Sequence, residues 1–166
     1  MGSGIFVNKV EASGIVALDL INYKPALEVV EFDIKRLLFM EMIVKEMAFR
    51  TSLSDVDLTL YAGKAVAFTC SVDAIIPPWV YMTLADTFHR GAVYLDFKDT
   101  AGVTLDLWKK NLTDADLSSY RDKKVVVRAR PDIPPQLYMV ATELLRPLVK
   151  TLMYGEIGMP KVIYKK

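Results

Sequence analysis

A single cysteine, Cys70, and a single histidine, His89, stand among 166 residues. One thiol cannot close a disulfide within the chain, and it suits a reducing compartment, so a cytoplasmic location is expected. One thiol and one imidazole also fall short of the ligand set of a structural zinc site. The eight glycines are scattered. None forms a cluster after an apolar run, so neither a dinucleotide fingerprint nor a phosphate-binding loop is present, and no cofactor is assigned. Basic and acidic residues nearly cancel, 21 against 20. With no long basic run, nucleic acid is not an expected partner. Long apolar runs are missing too. The densest, Leu37 to Val44, is too short to cross a bilayer and contains Glu41, and Met1 to Val10 lacks a charged segment leading into an apolar one. Neither a membrane span nor a secretory leader is expected.

What remains is the composition of a folded protein, 52% hydrophobic and 25% charged, in a chain long enough to bury one core. Its main feature is an internal likeness. Ser52 to Phe68 reads SLSDVDLTLYAGKAVAF and Asn111 to Val127 reads NLTDADLSSYRDKKVVV, with seven of 17 positions identical. The identities are Leu53/Leu112, Asp55/Asp114, Asp57/Asp116, Leu58/Leu117, Tyr61/Tyr120, Lys64/Lys123 and Val66/Val125. Downstream, Asp73 and a Pro77-Pro78 pair face Asp132 and Pro134-Pro135. Upstream, VVEFDIK at 29–35 faces AVYLDFK at 92–98. The shared order points to duplication within a single domain over 1–166. Its expected parts are an N-terminal segment 1–27, unit one over 28–88, unit two over 91–153 and a tail 154–166.

Each unit reads as a β-α-β-α pattern. Apolar runs at Val29–Ile34 and Ala92–Phe97 open the units as buried strands, and helices follow near Ile43–Leu53 and Thr104–Leu112. Asp-Leu-x-x-Tyr-x-x-Lys then turns into second strands at Ala65–Thr69 and Lys124–Arg128. Asp73 and Asp132 are expected to N-cap helices opened by the proline pairs. Leu137, Ala141, Leu144, Leu148 and Leu152 fall on one face of the last helix, with a kink at Pro147. Ile15–Leu20 and Val162–Tyr164 are candidate extra strands. The expected fold class is α/β: a mainly parallel sheet with helices on both faces, carrying an internal duplication of the β-α-β-α unit.

Right-handed crossovers would collect the strand-end loops on one edge, where open α/β sheets bind ligands. The candidate ligand-binding residues are therefore Asp33, Lys35, Cys70, Ser71, Asp73, Asp96, Lys98 and Asp132, with Arg128 and Arg130 beside the last. Each has a structural reading as a helix cap, a strand-end charge or, for Cys70, an inert core thiol. Cys70 closes a strand before a helix start, a place that can activate a thiol. Its counterpart is Ala129. His89 falls at the far end of the helix from Pro77, so it cannot pair with Cys70 or Ser71 as a catalytic dyad. The carboxylates have the oxygen chemistry of a divalent-cation site, while no metal ligand set is assigned.

The residues now in hand resemble a bacterial family known as domain of unknown function 2480. The resemblance rests on Val7-Asn8-Lys9-Val10 with Ser13-Gly14, on Phe32-Asp33-Ile34-Lys35, on Lys45-Glu46 with Phe49-Arg50, on Cys70-Ser71-x-Asp73-Ala74-Ile75-Ile76-Pro77-x-Trp79-x-Tyr81-Met82, and on Met153-Tyr154-Gly155-Glu156 with Tyr164-Lys165. It implies further cysteines near the second strand end and after Tyr-Gly-Glu. This chain has Ala129-Arg130 and Ile157-Gly158-Met159 there, which weakens any thiol or metal chemistry built on such a set. Gly155 also reads as a helix C-cap.

Two functions follow as expectations. The leading one is a non-enzymatic protein binding a small polar ligand or a partner at the strand-end cleft. The alternative is an enzyme with Cys70 as nucleophile oriented by Asp73, or with a carboxylate-bound divalent metal. A homodimer through Leu37–Val44 is a further expectation, set against the alternative that the segment is irregular and packs under the first 28 residues. One helix face cannot bury seven large apolar residues in eight, and Met and Phe suit an adaptable interface.

Overall fold

A computed structural model describes residues 13–166, and the motif Val7–Val10 lies outside them. The chain is a mixed α/β protein that divides into two compact units. One comprises Pro25–Asp106. The other comprises residues 13–24 together with Leu107–Lys166.

The Pro25–Asp106 unit holds strands β2 (Val29–Asp33), β3 (Ala65–Thr69) and β4 (Tyr94–Asp96), all parallel, in the order β2-β3-β4. Helices α1 (Glu46–Ser54) and α2 (Pro78–Phe88) make the crossovers. Both pack on the face that carries the register partners Phe32 and Phe68. Phe88 sits at the centre of this core, 2% exposed, with ring centroids of Phe32, Tyr61 and Phe68 each at 5.1 Å. Edge-on aromatic contacts of this kind add to the area buried. β4 was expected to open the second repeat. It instead pairs with β3 as the third strand of the first unit, because α2 is a crossover and returns the chain to the same sheet.

The other unit holds β1 (Ile15–Leu18), β5 (Lys124–Arg128), β6 (Thr151–Gly155) and β7 (Lys161–Lys165), in the order β1-β5-β6-β7. The first three are parallel and β7 is antiparallel to β6. Helix α3 (Thr100–Asp114) contains the division between the units, and α4 (Pro135–Leu145) connects β5 to β6. Leu137, Ala141 and Leu145 form the buried stripe of α4. The helix does not kink at Pro147 but stops before it, since proline has no N–H to donate. Leu152, expected on that helix, lies fully buried in β6. Gly155 ends this strand at φ +121°, a conformation that favours glycine, and is not a helix cap.

The repeated motif has a physical explanation. The Asp57 and Asp116 carboxylates accept the amides of Thr59 and Ser118 at 3.0 and 2.9 Å, closing the 3-10 turns Leu58–Tyr61 and Ser118–Tyr120. Gly63 and Asp122 then adopt φ +71° and +59° to turn the chain into β3 and β5. Their amides donate to the carbonyls of Gly91 and Leu148. Asp73 and Asp132, however, do not cap the helices. Pro77 and Pro134 occupy the N-cap positions, extended at ψ 146° and 136°, without a side-chain cap. A proline already fixed in φ starts the helix, and the aspartates sit upstream in the loops.

Removing the Phe88 ring leaves a cavity that the three aromatics packed around it cannot close. Phe88→Ala should cost about 3–5 kcal/mol of unfolding free energy, measured by urea denaturation.

Candidate functional site

Parallel strands put their carboxyl ends on one edge, so in Pro25–Asp106 the loops after β2, β3 and β4 share an edge with the first turns of α1 and α2. Asp33 ends β2 and closes the 3-10 turn Ile34–Leu37 by accepting the Lys35 amide at 3.0 Å. It also accepts the Ser71 amide from the next loop at 3.1 Å. Burial alone would raise its carboxyl, but hydrogen bonds from the Ser71 side chain and from both amides, with the Lys35 charge, hold it below the usual carboxylate range. Asp33, Lys35 and Ser71 are thus brought together. Lys35 also reaches Glu41 at 3.1 Å.

Cys70 is half-buried against the core, and its thiol donates to the Val72 carbonyl at 3.3 Å. Asp73 is exposed. His89 caps the far end of α2, with Nδ1 2.6 Å from the Asp86 carbonyl. Asp96 and Lys98 form a second group: Lys98 lies 3.5 Å from Asp96 and hydrogen-bonds Asp106. Asp106 is the main cause of the raised Lys98 pKa. Burial, with the Asp96 and Asp106 charges, raises the Tyr94 hydroxyl.

The remaining candidates belong to the other unit, at the carboxyl edge of β1, β5 and β6. Arg130 grips Asp19 with Nε at 2.7 Å and Nη2 at 2.6 Å, a two-point pair on a side chain only 11% exposed. Arg128 lies 3.6 Å from both Asp19 and Glu156. Asp132 adds its charge to those acting on Arg130. The Arg130 hydrogen bond is the main reason the Asp19 carboxyl sits below its usual range. Sequence reasoning missed Asp19 and Glu156. The signal for Asp19 was available: it follows an apolar run and precedes another, as Asp33 does, and it closes the 3-10 turn Leu20–Tyr23 in the same way.

The third population on the Pro25–Asp106 edge is apolar and exposed. After Leu37 and Leu38, which are buried, the chain does not enter a helix at Ile43 as expected. It makes a tight hairpin in which Phe39 and Ile43 bridge, with Phe39 N donating to Ile43 O at 2.8 Å. Met40 and Glu41 at its tip have φ +51° and +56°. Met40 is 75% and Met42 66% exposed. Met47 on α1, Ile75 after β3 and Met82 on α2 are exposed as well.

Fold and edge together define a class: an α/β protein of two units with mainly parallel sheets, one of them with exposed apolar residues beside self-paired charges at its strand ends. The chain belongs to the family described as "Protein of unknown function (DUF2480)", whose profile matches residues 4–166. No curated protein and no solved structure is detectably similar to it.

The Asp19 pair makes a pH-dependent contribution. Because its pKa is depressed, the stabilisation is present above the unfolded value near 3.9 and is lost as pH falls through the lower folded value. Asp19→Asn should lower the melting temperature at neutral pH by a few degrees. The gap to wild type should close in thermal melts taken progressively below pH 4.

Proposed function

We propose that this chain is a non-catalytic binding protein whose working surface is the strand-end edge of Pro25–Asp106, and that a second copy of the chain docks there through Leu37–Val44. The observation that carries this is the hairpin tip. Neither Met40 nor Glu41 is glycine, yet both take left-handed φ, at a cost of roughly 1–2 kcal/mol each. Backbone hydrogen bonds, the Lys35–Glu41 pair and Lys45 lying 3.5 Å over the Phe39 ring hold them there. A loop strained to keep methionines in water suits a surface that becomes covered on binding. Phe39, Ile43, Met47, Ile75 and Met82 of the same unit are also exposed, and side chains of these kinds suit an adaptable interface.

A small polar ligand remains the other occupant this edge suits. It is less well supported, because Asp33, Lys35, Asp96 and Lys98 already have partners. The readings that use Cys70 as nucleophile or carboxylates as a divalent-metal site draw less support still. The thiol bonds a carbonyl, and His89 lies at the far end of α2. Among the described residues, no three His, Cys, Asp or Glu side chains converge as a metal ion requires.

Two broader readings go with the proposal. A lone reduced cysteine supports a cytoplasmic protein, in keeping with the bacterial resemblance. No helix among the described residues is long and apolar enough to cross a membrane. The seven identities, and the shared order of strand, 3-10 turn, helix, 3-10 turn, strand, helix and strand, support descent of both units from one ancestor. On that reading β1 is the counterpart of β2, and β6 of β4.

Sedimentation velocity at micromolar concentration tests the dimer. Wild type and Cys70→Ala should sediment as dimers, and Met42→Asp as a monomer that melts cooperatively. Met40→Gly should weaken the dimer while leaving monomer stability within about 1 kcal/mol, since relief of the left-handed strain offsets glycine's entropy. A wild type that stays monomeric throughout overturns the homodimer.

A further inference from the structure

The second unit carries a separate unfilled place. Val127, Leu152 and Tyr154 lie on one face of its sheet, and α4 packs on that face, with Tyr138 edge-on to Tyr154 at 5.6 Å. Strands lie about 4.8 Å apart and packed helices about 8–10 Å apart, so one helix covers roughly two strands. α4 connects β5 to β6 and packs on that part of the sheet. β7, added beyond β6 by a hairpin, lies at the sheet's edge. A cavity of about 290 Å³ lies between them, lined by Val127, Tyr138, Thr142, Leu152, Met153, Tyr154 and Ile163. The α4 stripe beside it includes Met139, 67% exposed, and Ile163 is 53% exposed.

The alternative of adding a strand to β7 is disfavoured. A bulge shifts its register between Leu152 and Met153, and Lys161 and Lys165 stand at its ends. Bulges and lysines are how edges resist pairing. A second copy paired antiparallel about Ile163 would also set Lys161 against Lys165.

The charges around the groove indicate the occupant. Lys161 pairs in register with Tyr154 at one end. At the other, Arg146 stacks over Tyr164 at 4.8 Å, and Lys166 donates its amide to Lys150. Two acidic residues stand near it: Glu143 on α4, and Glu156 after β6, which is paired with Arg128. We infer that this groove between α4 and β7 is a docking site for an amphipathic helix of a partner protein, apolar on the face it buries and acidic on its flanks. The helix completes the layer over β6 and β7 and sets its carboxylates against Lys161, Arg146 and Lys150. This surface is independent of the strand-end edge of Pro25–Asp106.

The test is fluorescence anisotropy on the full chain with a dye-labelled synthetic helix bearing leucines at i, i+3, i+4 and i+7 and glutamates on its flanks. A counterpart has lysines in place of the glutamates. The acidic helix should bind saturably, at least about tenfold tighter than the lysine one, and weaken as salt is raised. Ile163→Glu should weaken it by about tenfold or more with an unchanged melting curve, while Met42→Asp should leave it unaltered. Absence of saturable binding, equal binding of both peptides, or indifference to Ile163→Glu overturns the inference. So does a wild-type dimer that Ile163→Glu dissociates and Met42→Asp does not, since a second copy would then fill the groove.

Discussion

Parallel pairing of β2, β3 and β4 is the constraint from which the rest follows. Parallel neighbours cannot be joined by a tight turn, so each connection must climb back over the sheet, here as α1 and α2. That return path does two things at once. It buries Phe32, Phe68 and Phe88 beneath the helices, and it delivers three loops and two helix starts to a single edge. Aspartate at a strand end then does local work. Asp33 and Asp19 each stop a strand by offering the following amides a better acceptor than the next residue of a ladder.

Much of this architecture was legible because its signals are local. Apolar runs of strand length placed β3 and β5 as found, and the Asp-Leu-x-x-Tyr repeat marked two real 3-10 turns. Errors arose where a local pattern has two physical solutions. Leu144, Leu148 and Leu152 keep helical spacing, but Pro147 ends the helix between them, and Leu152 is buried by a strand instead. The run VYLD resembles VEFD in sequence while filling a different place in its sheet, because pairing is decided by crossovers that neither run encodes.

The candidate edge was legible in part. Asp33, Lys35 and Ser71 do meet, since each follows a strand of the same sheet. Lys98 with Asp106 could not be anticipated from residue type, because the pair depends on where a turn of α3 falls. The surplus of apolar residues at Leu37–Val44 was visible. Its resolution was not: two residues turn inward, and a hairpin with left-handed Met40 and Glu41 directs the methionines outward. Helix amphipathicity cannot describe a segment that is no helix.

The path of the chain has a consequence for biosynthesis. β1 is made before the whole of Pro25–Asp106, yet its partner β5 begins only at Lys124. At an elongation rate of about 5–20 residues per second, Ile15–Leu18 emerges from the ribosome and waits roughly 5–20 s for the strand it pairs with. The intervening unit has all its strands in one continuous stretch and is free to condense during that interval. The nascent chain thus carries an apolar β1 without its strand partner throughout that interval. Vectorial synthesis therefore leaves β1 outside the ribosome and in need of shielding before its partner strand arrives.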